Sequence, residues 1–314
     1  MKRIFVGVLC ASAVLVLWFS GCSNPAGPIG TSLSSADQTA INNLISSDAL
    51  FTNDATMMND GSPSSTSLAK SATAINVIAW GRKIDWSTVS RNVSYDQVDS
   101  VTVVATITNT WGGNIWIREA RPDSMGDTTI YKPFMESSVR KVKFTKMADS
   151  MHHGWNWKMR QVSAMQGGTT SSHGITIEKV NFYVGTDTIE VTDPLNFYLQ
   201  QGVRGHHCLE EMPESMEEAF KIQVTVNSTD PDSDLVTARR PVVFNNAWSY
   251  RAPMKLVSSV SNGDGTYTRV YESSWHGAWA GRHNVMVGAV PRSAVFDDST
   301  QFSSQIWGIP YIVD

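Results

Sequence analysis

Val203 to Glu214 reads VRGHHCLEEMPE, which sets His206, His207 and Cys208 beside Glu210, Glu211 and Glu214. Imidazole and thiolate are good ligands for a borderline-soft ion such as zinc, and a closed site needs about four donors in a tetrahedron. Were the stretch helical, His206 would face Glu210 and His207 would face Glu211, one pair on each of two faces. Gly205 and Pro213 bracket it, so such a helix is barely a turn or two long. Further donors would have to come from His152 and His153, and no C-x-x-C or H-E-x-x-H spacing occurs in the chain. The plainer reading is a crowded surface loop, with Cys208 a small apolar filler if it is buried.

A second stretch, Asp230-Pro231-Asp232-Ser233-Asp234, alternates carboxylates as calcium loops do, because a hard cation wants several oxygen ligands. The EF-hand pattern then fails, since Leu235 stands where its glycine belongs and Pro241 where its bidentate glutamate belongs. Turn chemistry explains the stretch more cheaply, with aspartate side chains satisfying loop amides.

Aromatic residues are the third resource. Trp155 and Trp157 share one face of an expected strand and read as core, where tryptophan buries more area than any other side chain. Trp275, His276 and Trp279 flank small residues that read as loop, so they are the expected ligand surface, flat rings offered to a glycan or a protein. Catalytic spacing is missing: there is no G-x-S-x-G elbow, phosphate-cradling glycine loop or dinucleotide fingerprint. A non-catalytic protein without a cofactor is therefore expected.

The elements that must carry these residues are mainly β. Ser35-Ala36-Asp37-Gln38 reads as a capping box opening a helix whose Ile41, Leu44, Ile45 and Phe51 line one face. In Ser100–Thr108, Val101, Val103, Ala105 and Ile107 point one way and the residues between them the other. Trp111 to Asn114 reads as a turn and Ile115 to Ile117 as the return strand of a hairpin. A second pair, Val139–Lys146 and Gly154–Ser163, follows. The polar, glycine-rich Met165–Gly174 is the expected domain boundary. Beyond it, seven short strand candidates lie between Ile175 and Val290, with Asn262-Gly263-Asp264-Gly265 as a strong hairpin signal. The tail ends in a strand after Pro310.

The expected organisation is a signal peptide over residues 1–21, a tether over 22–34, an α+β domain over 35–166 and a β-sandwich over 172–314. Helix first and curved meander second resembles a cystatin-like or nuclear-transport-factor-2-like order. The DGTYT turn and the GRHNVMVGAV strand resemble bacterial immunoglobulin-like domains, which implies a sandwich and nothing about function.

The first residues, MKRIFVGVLCASAVLVLWFSGCSN, place Lys2 and Arg3 ahead of an apolar run closed by Ser20, Gly21 and Cys22. That is the grammar of a secretory signal, and the run is shorter than the roughly 20 residues a spanning helix needs. Phe19-Ser20-Gly21-Cys22 resembles the lipobox of bacterial lipoproteins, with Phe19 where the family usually has leucine. The resemblance implies cleavage before Cys22 and acylation of that residue, giving effectively permanent anchoring. Ser23 after the lipidated cysteine implies the outer membrane of a Gram-negative envelope.

Loss of residues 1–21 removes two basic and no acidic side chains, leaving 23 basic against 29 acidic, a net charge of −6. With no basic run longer than Arg239-Arg240, nucleic acid is not an expected partner. Of three cysteines, Cys10 leaves with the signal and Cys22 carries lipid, so Cys208 has no partner for an intrachain disulfide. The expected role is binding or scaffolding at the cell envelope. The rivals are a metal-binding protein or metal-dependent enzyme using His206, His207 and Cys208, glycan binding through exposed tryptophan, and a half-barrel with an apolar pocket between Val101 and Trp157.

Overall fold

Alternation with a period of two continues far beyond Thr108. In the computed structural model, β2 (Thr102–Glu119) runs without a break between β1 (Val77–Gln97) and β3 (Thr128–Asp149), pairing antiparallel with both along its length. The hairpin expected at Trp111 to Asn114 is therefore replaced by one continuous strand. Glycine there serves a close approach: a Cβ on Gly113 would lie 2.1 Å from the Lys83 carbonyl oxygen of β1. Opposite this point, the register between β1 and β2 shifts between Asp85 and Ser90.

The structure describes residues 33–48, 51, 54–61, 75–120, 127–149, 154–170, 174–184, 187–200, 219–241, 249–276 and 281–313. From Leu33 onward they form one compact unit. After α1 (Ser35–Ser47) and the short α2 (Asp54–Met58) come β1 to β3, β4 (Gly154–Ser163), β5 (Met165–Thr169), β6 (Ile175–Val184), β7 (Asp187–Val191) and β8 (Tyr198–Gln200). They are followed by β9 (Ala219–Ser228), β10 (Leu235–Pro241), β11 (Ser249–Pro253), β12 (Lys255–Ser261), β13 (Tyr267–His276), β14 (Gly281–Val290), α3 (Ser293–Phe296) and β15 (Gln305–Val313). The larger sheet has the order β1-β2-β3-β5-β15-β14-β10-β11, with β4 also on β3 and β8 on β4, and the second sheet has the order β12-β13-β9-β6-β7. Every pairing is antiparallel. The fold is mainly β, and strands from both sequence-predicted domains share the larger sheet.

The expected boundary, Met165–Gly174, contains β5, the strand that joins β3 to β15. Its glycines again mark crowding: a Cβ on Gly168, whose φ is +149°, would lie 2.3 Å from the Ser304 carbonyl oxygen. The seven strand candidates after residue 174 all form, divided between the two sheets. Asn262 closes the β12–β13 turn through its N–H to the Thr266 carbonyl, 2.9 Å, with Gly263 at φ +80°.

Three cores follow from strand alternation. Val285, Val287 and Ala289 of β14, with Trp307, Ile309 and Tyr311 of β15, pack against Phe220, Ile222, Val224 and Val226 of β9 in a sandwich core. The intervening Met286, Val290 and Ile306 point to the other side, against Met57, Trp111 and Phe134. Cover on both faces explains why β14 is apolar without interruption from Val285 to Val290. In the third core, Ile41 and Ile45 of α1 and Phe51 cover Val103, Ala105, Ile107, Val142, Phe144 and Trp157. Each buried valine, isoleucine or phenylalanine among them contributes about 1.5–3 kcal/mol by leaving water. The surface between Val101 and Trp157, expected as a possible apolar pocket, is thus occupied by the protein's own helix.

Helix α1 starts one residue earlier than its sequence suggests. Ser34 is the N-cap, its Oγ accepting from the Asp37 backbone N–H at 3.1 Å and donating to the Asp37 carboxylate at 2.8 Å. Asp37 also accepts from Lys146 Nζ and Trp157 Nε1, each at 2.8 Å, which docks the first turn on β3 and β4.

Candidate functional site

On β3 the inward positions are the even residues. Ile130 and Phe134 lie in one apolar core and Val142 and Phe144 in another, while Glu136, Ser138 and Arg140 between them are buried and polar. The register sets Trp111 opposite Glu136, Asn109 opposite Ser138 and Ile107 opposite Arg140. A polar belt thus crosses the inner face between two greasy regions. Because desolvating a charge is costly unless it is paired, this is where the fold concentrates its electrostatics.

Glu136, with no exposed surface, accepts from Arg82 Nε at 3.1 Å, Ser304 Oγ at 2.7 Å and Trp111 Nε1 at 2.9 Å. The Arg82 guanidinium also lies 5.4 Å from the centre of the Phe302 ring. Next along the belt, Asp54 accepts from Asn109 Nδ2 at 3.0 Å and stands 3.5 Å from Arg140 Nη2. Burial pushes the Asp54 carboxyl above its ordinary value against the opposing pull of Arg140, and burial likewise pushes Arg140 down against the pull of Asp54.

Asp54 belongs to a strap of which residues 48, 51 and 54–61 are described. Asp48, Asp54 and Asp60, six residues apart, each meet arginine from the body of the protein. Arg282 Nη1 of β14 donates to Asp48 at 2.7 Å. Arg239 Nη2 of β10 lies 2.7 Å from both Asp60 carboxylate oxygens, and Arg251 Nη1 of β11 lies 3.1 Å from one of them. Burial lowers Arg239 to about 10, with Asp60 holding it up. Arg251 also donates to the Trp80 carbonyl of β1, and its guanidinium lies 4.4 Å from that indole centre. Strands β1 and β11 end the sheet order on opposite sides, so the larger sheet curls until its two edges are bridged by side chains across Asp60.

The carboxylates read as possible calcium ligands are engaged by the protein itself. Asp234 Oδ2 lies 3.0 Å from Arg269 Nη1, with both side chains buried, and Arg269 Nη2 donates to the carbonyls of Asp230 and Pro231 at 2.7 and 3.0 Å. Asp230 accepts from the backbone N–H groups of Asp232 and Ser293 at 3.0 and 2.7 Å, and Asp232 is exposed. The positive charge at the centre of this loop is a guanidinium. Burial raises Asp234, against the hydrogen bonds from Ser228 and Arg269.

Trp275, expected on the surface, is 5 % exposed and packs in the sandwich core, 5.9 Å from the Phe220 ring that it faces across the ladder. It lies within β13, which extends to His276 opposite Ala219, because Ser273 and Ser274 are strand residues rather than loop. Trp157 is core, as expected. Cys22, His206, His207, Cys208 and Trp279 lie outside the described residues. Among the described residues no group of three or more His, Cys, Asp or Glu converges as metal ligands would, and no helix is long and apolar enough to cross a membrane. Compared with family models, curated proteins and solved structures, the chain matches none.

Sequence reasoning missed the belt, although its signal is present. Phe134, Glu136, Ser138, Arg140, Val142 and Phe144 alternate with a period of two, so three polar residues interrupt one apolar face.

Proposed function

We propose that this protein is a lipid-anchored component of the outer membrane of a Gram-negative envelope, held by acylated Cys22, and that its body binds or scaffolds without catalysing a reaction. The observation that carries the reading is the leader: Lys2 and Arg3, an apolar run, then Ser20-Gly21-Cys22. The composition of residues 22–34 suits a tether between that anchor and α1. The described body supports a non-catalytic role, because Glu136, Asp54, Asp60 and Asp234 are committed to internal arginines. At the level of fold, the seating of α1 on β2 to β4 supports the cystatin-like order, and the packing of the five-stranded sheet on β10, β14 and β15 supports the immunoglobulin-like comparison. An envelope glycan or protein is the natural partner.

Intact-mass measurement of the chain taken from bacterial membranes tests the anchor. The expected product lacks residues 1–21 and carries acyl mass on Cys22, and C22S moves the protein to the soluble fraction. An unmodified Cys22 or a retained leader in the membrane-derived chain overturns the reading.

A further inference from the structure

Strand alternation sorts the cations of β3 and β4. Val142 and Phe144 point into the core beneath α1, paired with Val162 and Met159 of β4, so Lys141, Lys143, Thr145 and Met147 project from the opposite, solvent-facing side. Lys158 stands across from Thr145 and shares that side. The register shift at Lys143 and Phe144 makes Arg160 the extra residue of a bulge, and its Nη2 donates to Met147 Sδ, which sets the guanidinium on the same side. Four cations thus gather on two neighbouring strands, and core residues separate them in sequence so that no basic run announces them.

Their charge is not spent inside the protein. Among the described residues none of the four forms an ion pair, whereas Lys146, on the core side, is taken by Asp37. Lys141 faces Thr106 of β2 and Lys143 faces Val104, with Ser94 and Asp96 of β1 beyond them. Asp96 is two strands from Lys143, roughly 10 Å at the ordinary strand spacing. The exposed Asp99 is held below its ordinary value chiefly by the Val101 backbone N–H, with Lys143 the smallest influence. Neither carboxylate cancels the stripe. The chain as a whole is acidic, but exposed charges further apart than about 8 Å are largely screened at physiological ionic strength, so the stripe's own field governs what approaches it.

A sheet face spreads its charges over a surface instead of converging them on a point, which suits a layer of phosphate headgroups rather than one small anion. The path of the chain favours a bilayer over a soluble polyanion. Asp37 pins the first turn of α1 to Lys146 and Trp157, sequence neighbours of Met147 and Lys158, so the chain before Ser34 leaves the body beside the stripe. Cys22 lies twelve positions before Ser34, a reach of at most about 40 Å. We propose that Lys141, Lys143, Lys158 and Arg160 dock the body on the anionic phospholipid headgroups of the membrane that holds Cys22, with Met147, 40 % exposed, adding an apolar contact. The choice of a bilayer as partner rests on the lipid-anchor reading, whereas the stripe stands on the register alone.

Vesicle sedimentation of the chain from residue 22 onward, carrying C22S so that no lipid is attached, tests the stripe apart from the anchor. That chain keeps the whole compact unit that begins at Leu33. At low ionic strength it is expected to bind vesicles of equal parts phosphatidylglycerol and phosphatidylcholine, to ignore phosphatidylcholine alone, and to be released as salt rises. Lys143→Gln should weaken binding about fivefold and the pair Lys143→Gln and Lys158→Gln about 30-fold, as the loss of one or two near-surface charges predicts. Lys255→Gln, on β12 of the second sheet, should leave binding nearly unchanged, and all three substitutions are solvent-facing and should keep the parent's melting temperature. Stripe-dependent binding by this chain beside a bare native Cys22 supports the stripe and fails only the anchor; an acylated Cys22 on a body that ignores anionic vesicles overturns this proposal alone. Absence of binding by the parent, as a stripe covered by the acidic residues 210–218 would give, overturns it too. So does equal binding to neutral vesicles, a loss on Lys255→Gln as large as on Lys143→Gln, or preference for soluble polygalacturonate over the vesicles.

Discussion

Arg140 Nη2 lies 3.5 Å from Asp54 Oδ1 with both side chains buried, in the middle of a strand face that is otherwise apolar on either side. The pair fastens the strap between α1 and β1 to the centre of the larger sheet, with Asp48 and Asp60 fastening its ends. Three aspartates six residues apart thereby tie the described residues of this strap, α2 among them, to the body of the protein. The two partners differ in what they can do when left alone. A carboxylate can neutralise itself by taking a proton, whereas a guanidinium keeps its charge.

That difference predicts unequal costs. Asp54→Asn strands a buried cation and is expected to destabilise by about 3–5 kcal/mol, whereas Arg140→Met costs less because Asp54 can protonate. Replacing both with apolar residues recovers most of the loss. Removing Arg140 also removes a charge that holds the Asp54 carboxyl down, so its folded value rises further above 3.8. The folded state then binds the proton before the unfolded state does, and Arg140→Met gains stability as pH falls through that raised value towards 3.8. Urea unfolding of the three variants between pH 7 and 4 measures both effects; a stability of Arg140→Met that stays level or declines on acidification contradicts the assignment.

Asp37 predicts the opposite slope. The hydrogen bond from Lys146 is the largest influence holding its carboxyl below 3.8, with Trp157 and Ser34 adding to it against a partial cost of burial. A depressed folded value means stability that is present above 3.8 and is lost as pH falls through the lower folded value. Asp37→Asn should therefore be less stable than the parent at neutral pH, with the gap closing in strong acid. Trp157 fluorescence, which senses the indole bonded to Asp37, follows the loss. A gap of equal size at both ends of the pH range would remove the link.

Much of the fold is legible in the sequence because alternation is a local signal. β6 begins and ends where its pattern does, and Asn262 to Gly265 turns the chain as expected. Misreadings arise where a residue's type answers to something distant. Gly112-Gly113 and Gly167-Gly168 resemble turn or linker glycines, yet they lie inside strands where a neighbouring backbone crowds them. Trp275 is similar: serine neighbours look like a loop until β9 places Phe220 beside its ring. The site was least legible, since the Asp54–Arg140 separation of 86 positions leaves no spacing rule to read, and only the interrupted pattern on β3 betrays it.

Crowding at these glycines is measurable. Gly113→Ala drives a Cβ to within 2.1 Å of the Lys83 carbonyl oxygen, and the neighbour is backbone that cannot rotate away. A loss of at least about 3 kcal/mol is expected, the upper range for overpacking. Gly263→Ala is the comparison, because at φ +80° it meets nothing within 4 Å and carries only the left-handed strain of about 1–2 kcal/mol. Equal midpoints in urea for the two variants would show that β1 can move aside.

Arg269 predicts how the Asp230–Asp234 loop responds to calcium. Its guanidinium already bonds the Asp234 carboxylate and the carbonyls of Asp230 and Pro231, oxygens that a calcium ion would need. Binding calcium would mean breaking a buried pair whose loss costs about 3–5 kcal/mol, so millimolar calcium or a chelator should leave the melting temperature of the parent protein unchanged. Arg269→Met removes the internal cation and leaves Asp234 to neutralise or to find another. That variant should melt lower, and calcium should now restore part of the loss, because Ser228 Oγ, which accepts from the Asp230 backbone N–H at 3.1 Å and donates to the Asp234 carboxylate at 2.7 Å, still holds the loop around the vacated position. Calcium stabilising the parent as much as the variant would mean that the arginine does not occupy the role of the cation.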